Sequence, residues 1–253
     1  MTAQIIAVLN QKGGVGKTTT TVNLAHALAN MDKRVTVVDL DPQSHLGVAL
    51  GEVSKLQTGI DDVMLGHCDF TQQLIPIREN LNLIVAGPRL QEIEQLSEGG
   101  SHRGDLLRKA LARGVGNADF VFIDCPPSSG ILVANALFAV EELLIPMTSD
   151  FLALQGLSHL MGTIKKFETA LSRKYRLSIV MSRYIANRRL SKDVLNTLKK
   201  YFPEQILATP IRETAALAEC PSFGKTIFEY RPGWRSAKDF NDLASDFLAR
   251  RVM

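Results

Sequence analysis

Cysteine is scarce in this 253-residue chain: Cys68, Cys125 and Cys220 stand far apart, with neither a C-x-x-C pair nor a Cys/His cluster among them. An odd number at such spacings argues against a disulfide framework and a zinc site and fits a reducing, cytoplasmic setting. Long apolar runs are missing as well. No stretch reaches 18 residues, and the opening MTAQIIAVLN lacks the basic start and the length of a signal peptide, so neither a membrane span nor export is expected. Low-complexity tracts, internal repeats and linkers are absent. A composition of 45% hydrophobic and 22% charged residues gives no reason to expect disorder. The length suffices to bury a core without covalent staples, and one domain spanning residues 1–253 is expected.

A large net charge is absent too, at +3, but the charges are unevenly placed. Between Asp39 and Asp105 eleven acidic residues face four basic ones, whereas between Arg183 and Lys200 six basic residues face only Asp193. A basic stretch of helical length suits phosphates, although a solvated helix face is the plainer reading of such a cluster by itself.

What the chain does have is alternation. Short β-branched runs at 5–10, 34–41, 81–87, 120–126, 142–149 and 177–184 are separated by helical patterns at about 17–31, 103–114, 131–140, 154–172 and 190–202. A last helix is expected at about 236–251, with Leu243, Phe247 and Leu248 at core spacing. Continuous apolar runs imply strands buried on both faces, and the order implies right-handed crossovers. The fold class is therefore α/β, a single doubly wound domain with a mostly parallel sheet between two helical layers. Residues 43–80, polar and irregular, read as short surface helices.

Three short motifs fall at strand ends. In NQKGGVGKTTT, residues 10–20, a strand runs into a glycine-rich turn and then a helix. This is the context of a P-loop, whose backbone N–H groups and helix N-terminus cradle phosphates. Gly13, Gly14, Val15 and Gly16 form the turn, Lys17 neutralises the outer phosphates, and the Thr18 hydroxyl suits Mg²⁺. Gln11 stands where the strict pattern has glycine, so the match is to a variant. FVFIDCPP ends a buried strand on Asp124, the Walker B position for holding Mg²⁺. In VVDLDPQ, Asp39 and Asp41 are two apart and are expected on the same side of a strand, facing the P-loop, with Asp39 a further metal candidate.

KGGVGKTT, VVDLDPQ and FIDCPPSSG together resemble the deviant Walker-A ATPases of the ParA/MinD family. FLALQGLSHL and LAECPSFGKTIFEY are similar to stretches of short, chromosomal-type ParA (Soj-like) proteins, so the resemblance covers nearly the whole chain. It implies a P-loop NTPase fold, ATP and Mg²⁺ as cofactors, and slow, partner-stimulated ATP hydrolysis that resets a monomer–dimer switch. By the same resemblance Lys12 reaches the partner's ATP across a homodimer, Asp41 positions the attacking water, Thr19 adds a hydroxyl to the phosphate cradle, and Pro210 and Arg212 lie near the adenine. The implied partners are nonspecific DNA of the nucleoid and a cargo-linked, ParB-like adaptor, with no membrane. Arg188, Arg189, Lys192, Lys199, Lys200 and Arg235 are the DNA candidates. In one respect the chain departs from its relatives: Thr214, Ala215 and Ala216 stand where a DNA-contacting arginine is usual.

Two other assignments share this core. A MinD-like membrane regulator would append an apolar, basic helix, whereas DLASDFLARRVM reads as the continuation of a packed helix. A metabolic amide synthase or an electron donor could use the same scaffold, the donor needing two cysteines per subunit for a shared cluster.

Overall fold

The β-branched runs form strands whose alternate residues enter opposite layers. In the computed structural model, which describes residues 3–52, 58–95 and 104–253, the strands are β1 (Gln4–Val8), β2 (Val35–Asp39), β3 (Ile75–Arg78), β4 (Leu81–Ile84), β5 (Phe120–Asp124), β6 (Glu142–Thr148) and β7 (Arg176–Ser182). They form one sheet in the order β3-β4-β2-β5-β1-β6-β7. Every neighbouring pair is parallel except β3 with β4.

The helices are α1 (Lys17–Ala29), α2 (His45–Leu50), α3 (Ile60–Leu65), α4 (Leu90–Gln95), α5 (Leu106–Ala112), α6 (Ile131–Ala139), α7 (Phe151–Leu171), α8 (Arg189–Tyr201), α9 (Ala215–Glu219), α10 (Ile227–Tyr230) and α11 (Arg235–Ala249). Ile6, Val8, Val37 and Phe122 pack into one layer with α1, α2 and α9 to α11. Ala7, Val38, Val121 and Ile123 point the other way, into the layer of α3 to α8. This two-sided burial makes the runs continuously apolar. Phe240, Leu243 and Phe247 of α11 are fully packed, and Phe247 meets the rings of Phe120 and Phe122. Leu248, expected in that core, is 39% exposed.

The expected alternation is present, with local differences. Residues 43–80 contain α2 and α3 but also the edge strand β3, which sequence periodicity does not reveal. The helix expected from residue 154 starts at Phe151, because the Asp150 carboxylate caps it by accepting the Ala153 N–H at 3.0 Å. Residue 103, the first of the helix expected at 103–114, lies outside the described residues. All three cysteines are free thiols, Cys125 and Cys220 buried and Cys68 partly so.

Candidate nucleotide site

The parallel strands end on one edge of the sheet, and the pairing register places Val8, Asp39 and Asp124 side by side there. After β1 the chain turns through Gly14 and Gly16, whose φ angles of 72° and 85° lie in the left-handed region that glycine enters without strain. Gly16 is the N-cap of α1, and no acidic residue occupies the first helical turn. The free N–H groups and positive end of a 13-residue helix therefore face the turn, ready for an anion.

Lys17 begins that helix and is buried, which lowers its pKa although Asp124, Cys125 and Asp41 all pull the other way. Asp124 accepts hydrogen bonds from the Thr18 hydroxyl at 2.6 Å and the Thr21 hydroxyl at 3.2 Å. Burial raises its pKa to about 6, against the opposing effects of Thr18, Lys17 and Thr21. A carboxylate enclosed beside a hydroxyl and held this far above its usual range lacks positive charge, and a hard divalent cation with oxygen ligands supplies it. Thr18 and Asp124 therefore fit Mg²⁺. Cys125 is an inert thiol, its pKa raised by burial.

Asp39 has another task. Its two oxygens accept the N–H groups of Asp41 at 3.1 Å and Leu46 at 3.0 Å, tying the end of β2 to the first turn of α2. It is fully buried, and burial and the nearby Asp124 hold its pKa well above the usual range. Asp39, expected as a further metal candidate, here ties the backbone at the end of β2, with Asp124 paired beside it. Asp41 opens the following turn, its carbonyl accepting the Ser44 N–H at 2.9 Å, and does line the cleft, as expected.

The cleft has a volume of about 550 Å³. Its phosphate end is lined by Gly13, Gly14, Gly16, Lys17, Thr18 and Asp41, with Thr19 beside them. Ser182 and Arg183 line it beside the loop, and Arg212, Glu213, Leu217 and Phe240 complete the wall. Arg212 is there, but its guanidinium is bound to Asp239, whose hydrogen bond raises the Arg212 pKa. Pro210 is not among the lining residues. Val15 is buried and is not among the lining residues. Ser182, Arg183 and Phe240 were not legible as site residues, since only the sheet order brings the end of β7 beside the P-loop.

A family model described as an AAA domain matches residues 3–179. The chain is 36% identical to the sporulation initiation inhibitor protein Soj of Bacillus subtilis, over 97% of this chain and 98% of that one. It is 34% identical to the chromosome partitioning protein ParA of Myxococcus xanthus, over 98% of this chain and 88% of that one. The chain belongs to the ParA/Soj family of P-loop ATPases. Among solved structures it is similar to cobyrinic acid a,c-diamide synthase of Mycobacterium smegmatis with bound ADP and magnesium, at 30% identity and a TM-score of 0.82, covering 97% of this chain and 94% of that one.

Lys12, which adjoins the glycine turn, is not among the residues that line the cleft. The Lys12 ammonium donates to both oxygens of Asp150 at 2.7 Å, with Lys12 34% and Asp150 39% exposed. Asp150 also accepts the Thr148 hydroxyl at 2.6 Å. Burial works against its ionisation, yet Lys12 and Thr148 outweigh this and hold the carboxyl below its ordinary pKa. Asn10 fixes the base of the loop: its amide donates to the Pro146 carbonyl at 2.9 Å and its oxygen accepts the Lys12 N–H at 3.0 Å.

The basic stretch divides in two. Arg188, Arg189, Lys192, Lys199 and Lys200 are exposed around α8, while Ser191, Val194 and Leu198 of the same helix are buried. Arg189 has a loose contact with Asp193 at 3.8 Å, and Arg235 is exposed at the start of α11. Arg183 instead turns to the P-loop and Glu213. Of Thr214, Ala215 and Ala216, only Thr214 has a polar side chain, and its hydroxyl is bonded to that of Ser236 at 2.9 Å. Among the described residues, no helix is long and apolar enough to cross a membrane.

Proposed function

We propose that this chain acts as a single-domain ATPase that dimerises on ATP, binds DNA without sequence preference in that state, and positions or partitions a cargo. The observation that carries the reading is Lys12. It sits next to the P-loop yet outside the cleft, on a carboxylate of its own chain, while Lys17 serves the cleft. A cation held at the rim is available to a second subunit's triphosphate and redundant for its own.

In this reading Lys17 holds the phosphates, and the N–H groups of Gly13 to Gly16 and the Thr19 hydroxyl complete the cradle. Thr18 and Asp124 hold Mg²⁺, which supplies neutralising charge when bound. Asp41, at the cleft wall, orients the attacking water, and Arg212 contributes to the wall near the base. Hydrolysis ends the dimer and releases what only the dimer binds. The exposed cations of α8, with Arg235, meet DNA phosphates, and pairing two copies multiplies those contacts. An adaptor joined to the cargo accelerates turnover, and the complex resides on the nucleoid.

DNA binding measured with ADP, with ATP and without nucleotide across a salt series tests this. Binding confined to the ATP state, with a steep salt dependence, is expected; equal binding in all three states, or none with ATP at low salt, refutes it. The name of the mycobacterial relative motivates a second reading, ATP-dependent amide formation. ATP turnover that requires an amide nitrogen donor and is indifferent to DNA would favour it.

A further inference from the structure

We propose that Ser182 and Arg183 are positioning residues for the phosphate loop, an inference that rests on the nucleotide reading above. Ser182, the last residue of β7, is buried, and its hydroxyl donates to the Val15 carbonyl at 2.6 Å. Arg183 follows with φ 49°, a left-handed conformation uncommon for a residue with a side chain. Its guanidinium donates through Nη1 to the Gly14 carbonyl at 3.3 Å, and through Nε and Nη2 to Glu213 Oε1 at 2.9 and 2.6 Å. Two successive residues at the end of one strand thus hold two successive carbonyls of the loop.

Peptide geometry carries this to the ligand. In a trans peptide unit the C=O and N–H bonds point in opposite directions, and no described peptide bond is cis. The unit with the Gly14 carbonyl carries the Val15 N–H, and the unit with the Val15 carbonyl carries the Gly16 N–H. Drawing both carbonyls toward the end of β7 turns both N–H groups the other way. Among the described residues neither N–H meets an acceptor; Gly16 lines the cleft, so its N–H is open to a ligand oxygen, while that of the buried Val15 is left unpaired. The loop cannot fix this orientation by itself. Gly13, Gly14 and Gly16 have no side chains to pack, and a Cβ built at Gly13 or Gly14 would meet nothing within 4 Å. Ser182 and Arg183 therefore supply from outside the preorganisation that glycine withholds, which lowers the ordering cost of binding a di- or triphosphate.

The test is nucleotide affinity, read by fluorescence of mant-labelled ADP with Mg²⁺ and by its displacement with inorganic pyrophosphate. Ser182→Ala and Arg183→Ala should each weaken mant-ADP binding about fivefold, the worth of one hydrogen bond. Pyrophosphate, with no base or ribose, should lose affinity by the same factor, and Ser182→Thr, which keeps the hydroxyl, should restore it. Arg183 is 57% exposed, so Arg183→Ala keeps the test open even where the buried serine variant fails to fold. Unchanged mant-ADP affinity in the variants, or a loss that spares pyrophosphate, overturns the inference and leaves the nucleotide reading standing. If the wild-type protein binds neither molecule, the reading falls and the inference with it.

Discussion

Asp150→Asn asks whether Lys12 is held in reserve. The substitution removes the charge that binds the ammonium but keeps an N-cap for α7 through its one oxygen, since asparagine caps helices as well as aspartate does, while its amide nitrogen, in place of Oδ2, donates to the Thr148 hydroxyl. A partly exposed ion pair contributes about 0.2–1 kcal/mol, and two contacts of 2.7 Å place this one toward the upper end. Each dimer needs two such pairs to open, so abolishing both would favour dimerisation by about 2 kcal/mol, or roughly 30-fold in Kd. Asparagine still accepts one hydrogen bond from lysine, and the expected tightening is therefore roughly 3- to 30-fold. Sedimentation velocity over a protein concentration series with a slowly hydrolysed ATP analogue measures it, and a thermal melt within about 1 kcal/mol of wild type verifies the fold. An unchanged or weaker dimer would refute the view that Asp150 competes for Lys12.

Three further outcomes follow from the site. Asp41→Ala should retain mant-ATP binding and the ATP-dependent dimer while losing turnover; a variant with normal turnover excludes Asp41 from water positioning. Asp124 has its pKa raised from 3.8 to about 6, so its ionised form is penalised in the folded, nucleotide-free chain above that pH, and the penalty fades as the pH falls toward 4. Asp39, raised by burial too, acts in the same direction. Asp124→Asn should therefore stabilise the nucleotide-free chain at pH 7.5 by roughly 1–3 kcal/mol and flatten its stability between pH 4 and 6, while losing Mg²⁺-dependent nucleotide affinity. Urea unfolding at several pH values checks this, and the absence of a gain at pH 7.5 contradicts the burial argument. Replacing Arg188, Arg189 and Lys192 by alanine should reduce the salt slope of DNA binding by roughly one unit per lost phosphate contact and leave dimerisation intact. An unaltered slope would move the DNA surface away from α8.

The sheet is legible in the sequence where burial on both faces makes a strand continuously apolar, as in Phe120–Asp124. It is not legible at β3, whose four residues IPIR include Pro76, are at most half-buried and lie on the edge. Such a segment has neither the length nor the alternation that marks a strand. Within the site, the P-loop, Asp41 and Asp124 are readable because each motif is contiguous and ends a strand. The spacing of Asp39 and Asp41 is readable, but not that β2 stops at Asp39 and that both of its oxygens accept backbone N–H groups. Arg183 misleads. Charge counting groups it with Arg188 and Lys192, whereas its backbone conformation and the neighbouring P-loop carbonyl remove it from that face. Ser182 carries no sequence signal at all, since its partner Val15 is 167 residues away.

The central claim, that Lys12 makes this phosphate loop a dimer device, is tested most directly by light scattering of wild type and Lys12→Ala with ADP and with a slowly hydrolysed ATP analogue. The wild-type protein should be a dimer with the analogue and a monomer with ADP, and Lys12→Ala a monomer in both while still binding mant-ATP. A Lys12→Ala variant that dimerises with the analogue as the wild type does would contradict it.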